Sequence, residues 1–354
     1  MTKMKLGLWQ KYLSLWVLLC IAVGTTLGRM FPQISDILAA IEIAHVSIPI
    51  AICLFFMIYP IMVQISFGEV KNALRSPRPI AATLVMNWAV KPFTMAFFSW
   101  LFINVIFLRF MSATSTETLQ GVIPLTQQYN AGLILLGVAP CTAMVLVWSY
   151  LAKGNMGHTF VMTAINTIMM VILYAPLATL LLGISGIIIP WETIALTVIV
   201  YICAPLAAGW FTRWYALKAK GRVWFEERLV PSLSRTSIIA LLITLVVLFA
   251  YQGNAIIELP AIIGMLAVPI FINIVVIFSI AYILSKAIGL GYEDAAPTAI
   301  IAGSNHFEVA IATATTLFGL NSGASLSTVV GVLTEVPIML FLVWLCKKTK
   351  SFFR

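Results

Sequence analysis

Six polar side chains stand out in an otherwise apolar chain. Cys141 directly follows Pro140 in the run Gly137-Val-Ala-Pro-Cys-Thr142. Asn305, His306 and Glu308 follow Gly303-Ser304, Lys91 precedes Pro92, and Glu335 opens Glu335-Val-Pro337. A thiol is a soft ligand, suited to a thiophilic centre. A carboxyl group at membrane depth is costly when charged, so it can take up and release protons. Glu308 and Glu335 are therefore candidates for proton coupling, with Lys91 as the expected ion-pair partner of Glu335. His306 could titrate near neutral pH. Asn305 and Glu308 could meet an ion or the hydroxyls of a solute. Each residue also has a plainer reading: a lone buried cysteine packs like a small hydrophobe, and Asn87, Trp88 and Asn166 can simply hydrogen-bond across helices.

The elements that carry these residues follow from composition. The chain has 354 residues, 62% of them hydrophobic and 9% charged, with a mean hydropathy of +1.05. Stretches of about 20 apolar residues span a hydrocarbon core of about 30 Å. The expected fold class is an all-α polytopic membrane protein, a single transmembrane transporter domain over residues 1–354. Ten segments are expected: Tyr12–Phe31, Val46–Ile65, Ile80–Phe107, Gly132–Ala152, His158–Leu182, Trp191–Trp214, Pro231–Tyr251, Pro260–Ser285, Ala296–Phe318 and Gly323–Cys346. The first lacks a signal-peptide cleavage pattern and should stay in the membrane.

The fourth and ninth segments are expected to be broken helices. Pro140 removes a backbone donor and clashes with the preceding turn. Pro297 and the Gly303-Ser304-Asn305 run interrupt the ninth, and Pro337 is expected to break the helix beside Glu335. Interrupted segments in corresponding positions of two halves point to a transporter's binding site. Residues from about 1 to 185 hold five segments and residues from about 190 to 354 hold five more. An odd number per half inverts one half against the other. Pro92 and Pro269 are plausible counterparts in those inverted repeats.

Charge sets the orientation. With the N-terminus cytoplasmic, Lys3, Lys5, Lys11, Lys71, Arg75, Arg78, Lys153, Lys286, the basic cluster from Arg213 to Arg235 and the C-terminal Lys347, Lys348, Lys350 and Arg354 all lie inside. Together they make 18 of the 21 basic residues, against Arg29 and Arg109 outside and Lys91 within the membrane. That is a strong positive-inside bias, with both termini cytoplasmic. The net charge of +9 thus reads as topology, and nucleic acid is excluded as a partner. Trp148, Trp191, Trp214 and Trp344 fall near segment ends and read as interfacial anchors.

The five cysteines include no CxxC pair, which argues against a disulfide framework and a structural zinc site. No HExxH, phosphate loop or nucleophile elbow is present. The chain is not expected to be an enzyme and needs no cofactor; without a nucleotide motif, uphill transport would draw on an ion gradient or a separate subunit.

Several runs carry a specific resemblance. Asn87-Trp-Ala-Val-Lys91-Pro92-Phe93, Ala131 through Trp148 with Ala139-Pro-Cys141-Thr-Ala-Met144, and Trp224-Phe-Glu-Glu-Arg228 form one set. Ser304-Asn-His-Phe-Glu308, Leu320-Asn-Ser-Gly-Ala324 and Gly331-Val-Leu-Thr-Glu335-Val-Pro337 form another. Over nearly the whole chain these resemble the arsenite efflux permeases of the bile acid/arsenite/riboflavin transporter superfamily. The resemblance implies ten helices in two inverted repeats, a core domain against a panel domain, and export of arsenite or antimonite in exchange for protons; the short chain and loops suggest a bacterial inner membrane. It maps the family's essential cysteine onto Cys141, as arsenic ligand, and its membrane glutamates onto Glu308 and Glu335. Two positions depart from the pattern: Asn166-Thr167 lacks the family's carboxylate, and His306 replaces an aromatic. Both touch possible proton-carrying positions. The alternative is sodium-coupled symport of an organic anion, as in the bile-acid branch, with Glu308 and Asn305 as sodium ligands and Cys141 incidental.

The metalloid chemistry fits a single cysteine. Arsenite at neutral pH is mainly the uncharged trihydroxide; its arsenic favours thiol and its hydroxyls want hydrogen bonds. Three thiolates would hold it too tightly for turnover, whereas one thiol beside open backbone makes a weak, reversible site.

Overall fold

The computed structural model describes residues 12–31, 42–43, 46–65, 77–111, 115–189 and 191–353. Lys3, Lys5, Lys11, Lys71, Arg75 and Arg354, which carry part of the charge pattern, lie outside the described residues. In chain order the helices are α1 (Leu13–Met30), α2 (Ile48–Gln64) and α3 (Pro77–Ile106), then α4 (Leu125–Val138), α5 (Met144–Leu151) and α6 (Met156–Ile184). There follow α7 (Trp191–Val198), α8 (Ala204–Trp224), α9 (Val230–Tyr251) and α10 (Gly253–Glu258). The last four are α11 (Pro260–Ala287), α12 (Tyr292–Gly303), α13 (Phe307–Phe318) and α14 (Gly323–Lys348). Two short hairpins, β1–β2 (Glu42–Ile43 with Val46–Ser47) and β3–β4 (Ser115–Thr118 with Gly121–Pro124), complete the regular structure.

Five helical runs are long and apolar enough to cross a membrane: Pro77–Ile106, Met156–Ile184, Trp191–Tyr251, Pro260–Ala287 and Gly323–Lys348. With three shorter apolar helices, this is a mostly helical membrane architecture. Each of the ten apolar stretches read from the sequence is occupied by a helix or by a pair of them.

The chain divides into two compact units. Within the described residues, the first holds α1, α2, α8, α9 and α10. In it α9 packs on α1 and α2, and α8 on α2. Gly24 and Gly28 of α1 let α9 come close; a Cβ on Gly28 would collide with the carbonyl of Ala250. Small residues four apart are how helices approach in lipid, where burial alone gives little drive. Tyr59 Oη and Thr212 Oγ1, 2.7 Å apart, link α2 to α8, and Ser237 Oγ donates to the Met57 carbonyl at 2.7 Å.

The second unit holds α3 to α7 and α11 to α14. Here α14 packs on α4, α11 and α13, and α11 packs on α12 and α3. Helix α3 contains π-helical turns at Val85–Val90 and Trp100–Ile106, the first just before Lys91-Pro92. Such turns absorb the donor that a proline removes.

Two expected breaks do not occur. Pro297 lies inside α12 and Pro337 inside α14, and both helices run through. For Pro297 the reason is visible. The carbonyl of Glu293, four residues earlier, would lack a partner, but it accepts from the Asn155 N–H at 2.7 Å. A membrane helix tolerates proline when a neighbour satisfies the freed carbonyl. Trp148 is also corrected: it is 1% exposed, packed inside the second unit rather than at an interface. Trp191, Trp214 and Trp344 are about half exposed, as interfacial residues would be.

Candidate functional site at the crossing of two broken helices

The α4–α5 break follows from Pro140. Without its N–H, the helix cannot continue past Val138, and the Leu136 carbonyl accepts from Ala139 at 3.4 Å instead. Ala139 is extended, and helix restarts at Met144. The second break comes after Gly303, where Ser304 is extended (φ −92°, ψ 148°). Helix α13 restarts at Phe307, capped by His306, whose Nδ1 accepts from the Val309 N–H at 3.4 Å.

The two breaks satisfy one another. Pro140 and Asn305 form an isolated antiparallel bridge. The His306 N–H donates to the Ala139 carbonyl at 2.7 Å, and the Cys141 N–H to the Ser304 carbonyl at 3.4 Å. Exposed backbone deep in a membrane protein needs such partners. Two helix C-termini, of α4 and α12, and two N-termini, of α5 and α13, therefore meet at one point.

All six sequence-derived residues gather there, none more than 4% exposed. Lys91 Nζ donates to the Ser304 carbonyl at 2.7 Å. Glu335 Oε1 accepts from Ser304 Oγ at 2.5 Å and from the Asn305 N–H at 3.0 Å. Among the described residues no ion pair joins Lys91 directly to Glu335. Ser304 stands between them, although the two lie close enough for their charges to interact. Cys141 is within electrostatic reach of Lys91, Glu335 and Glu308. Its thiol sits at the start of α5, against Ser304 and the Val145 N–H.

His306 Nδ1 lies 3.0 Å from Glu308 Oε2. Nδ1 has one in-plane lone pair, so the Val309 N–H and the Glu308 carboxyl group compete for the same face of the ring. Apart from this contact Glu308 has no hydrogen-bond partner among the described residues. The Asn305 side-chain amide and the Thr142 hydroxyl have none either. An unpaired buried polar atom costs about 1–3 kcal/mol. Three such groups at one crossing are what a small hydroxyl-bearing solute would meet. One thiol offers a single soft bond, and no cluster of three His, Cys, Asp or Glu able to hold a metal ion occurs among the described residues.

Known proteins decide the family. A family model described as the sodium bile acid symporter family matches residues 51–259. An arsenical-resistance protein, Acr3, of Alkaliphilus metalliredigens is 41% identical over 98% of this chain and 95% of its own length. The chain belongs to the arsenical-resistance transporters of the sodium bile acid symporter family. A second arsenical-resistance protein Acr3, from Corynebacterium glutamicum, is 34% identical over 94% of this chain and 87% of its own. An uncharacterized transporter of Synechocystis sp. is 53% identical over 98% and 91%. The chain is thus a membrane transporter and not an enzyme.

One residue of this transporter's site was not singled out by sequence reasoning. Ser304 touches Lys91, Cys141 and Glu335 at once. Its only signal was its place after Gly303, where a broken helix exposes its carbonyl. Of the two departures from the resemblance, His306 lies in the crossing. The Thr167 hydroxyl donates to the Thr163 carbonyl at 2.9 Å in its own helix.

Proposed function

We propose that this transporter exports arsenite, and antimonite with it, in exchange for protons, through the crossing of α4–α5 with α12–α13. The carrying observation is the position of Cys141, a lone buried thiol bonded through its backbone to the opposite break. Near-full-length likeness to arsenical-resistance proteins supports the same reading. In this account Cys141 is the arsenic ligand, and Asn305 and Glu308 hydrogen-bond the hydroxyls. Glu308, Glu335, Lys91 and His306 carry the proton linkage. Metalloid and proton compete for overlapping states, so the unloaded, unprotonated carrier reorients poorly. Export of a neutral solute gains nothing from membrane potential directly, whereas inward exchange of a proton gains about 2.3 kcal/mol per 100 mV.

The architecture in this reading is ten transmembrane helices as two inverted five-helix repeats, about residues 1–185 and 190–354. The two compact units support it. One draws the first two segments of each half, apart from the start of the sixth, and the other draws the last three of each. Both termini are cytoplasmic, as the basic-residue bias suggests, and the membrane is a bacterial inner membrane, as the short chain and loops suggest.

The test is arsenite and antimonite uptake into everted vesicles, with and without an acid-inside gradient. Gradient-stimulated uptake supports the reading, and wild type that moves neither metalloid overturns it. The family model's description favours one other reading, sodium-coupled symport of an organic anion. Sodium-dependent uptake of such an anion without arsenite transport would select it.

A further inference from the structure

We propose that Lys91 is a tethered stand-in for a coupling cation: its ammonium, held at the Ser304 carbonyl with the Ser304 hydroxyl bridging on to Glu335, takes the place of a sodium ion there and so makes this carrier independent of sodium. This uses the same crossing as the reading above but does not depend on the solute being arsenite.

The oxygens gathered at Ser304, one of which holds Lys91, are of the kind a monovalent metal ion would take. The Ser304 carbonyl is freed where α12 ends, at the negative pole of that helix, and accepts from Nζ at 2.7 Å. The Ser304 hydroxyl and the Glu335 carboxylate, joined at 2.5 Å, lie next to it. Unwound carbonyls and half-helix C-termini are what membrane carriers use to coordinate sodium. A carboxylate with no charge opposite it would be expensive at this depth. Lys91 is fully buried and supplies that charge from within α3.

An ammonium fixed to the protein cannot leave with the solute. It holds the crossing together in every state of the cycle and leaves the carboxylate free to exchange a proton. A relative with a short neutral side chain here would instead have to bind a cation from solution. The match to a family named for sodium symport fits a shared oxygen cage filled in two ways.

The test is thermal unfolding of the purified protein in sodium, potassium and choline chloride at equal ionic strength, with no metalloid present. Wild type should melt at the same temperature in all three. Lys91→Ala should melt lower in choline and recover by several degrees in sodium. Adding Glu335→Gln should remove that recovery, and Lys91→Arg, which keeps a fixed cation, should show no sodium response. A sodium-specific rise in wild type overturns the proposal, as does folded Lys91→Ala that is indifferent to the three salts. If Lys91→Ala cannot be recovered in potassium, it is prepared in sodium throughout. Recovery in sodium alone supports the proposal, and failure in every salt overturns it, because the vacated oxygens then accept no ion. The readout needs no arsenite, so a failed transport assay and a failed sodium test are distinguishable.

Discussion

Pro140 and Asn305, from opposite halves of the chain, pair as an isolated antiparallel bridge. That single pairing accounts for why both helices can stop inside an apolar protein. Each break supplies the donors and acceptors that the other lacks, and Cys141, His306 and Ser304 are carried to one place as a result.

Ser304 links Lys91 to Glu335, so its hydroxyl should matter while its carbonyl remains. Ser304→Ala removes a donor to a buried carboxylate, a bond worth about 1.5–3 kcal/mol. We expect a folded protein with a lower melting temperature and weakened arsenite uptake. Unchanged melting and uptake would show that Glu335 is held by other groups.

Glu335→Gln keeps an oxygen that can accept from Ser304 and Asn305 but cannot carry a proton. The expected outcome is a folded carrier whose arsenite uptake no longer responds to an acid-inside gradient. Stimulation by the gradient equal to wild type would remove Glu335 from the coupling.

His306 Nδ1 lies 3.0 Å from Glu308 Oε2 inside the crossing. His306→Asn retains a side-chain oxygen able to cap Val309 but removes the imidazole. Its arsenite uptake should respond less to an acid-inside gradient than that of wild type. In Glu308→Gln the amide can still donate to Nδ1, so folding should persist while uptake falls. Uptake and gradient response unchanged in both variants would assign the pair to structure alone.

Helix α4 lies close against α14 at Gly132, where a Cβ would collide with the Ala324 carbonyl. Backbone cannot yield as a flexible side chain does. Gly132→Ala should therefore cost about 1–3 kcal/mol, read as a lower melting temperature. Gly183→Ala, which meets nothing within 4 Å, should leave melting nearly unchanged.

Much of this site was legible in the sequence because proline and charge are loud signals in an apolar chain. Pro140 marked the first break correctly, and Lys91, Glu308 and Glu335 were conspicuous against lipid. What could not be read was which prolines break. Pro297 does not, because Asn155, far away in sequence, satisfies the Glu293 carbonyl. Trp148 was misread for a similar reason: hydropathy sees the end of an apolar run, not the packing that buries it. Ser304 was overlooked because its importance lies in a backbone carbonyl, which every residue has. The direct Lys91–Glu335 pair expected from charge is instead bridged by that same residue.

The central claim is that one thiol, Cys141, holds the metalloid. It is tested by arsenite uptake into everted vesicles for two variants: Cys141→Ser alone, and a variant with Cys20, Cys53, Cys203 and Cys346 all replaced by alanine so that only Cys141 remains. The account predicts uptake by the single-cysteine carrier and none by Cys141→Ser, with both proteins folded and inserted. Full uptake by Cys141→Ser would contradict it.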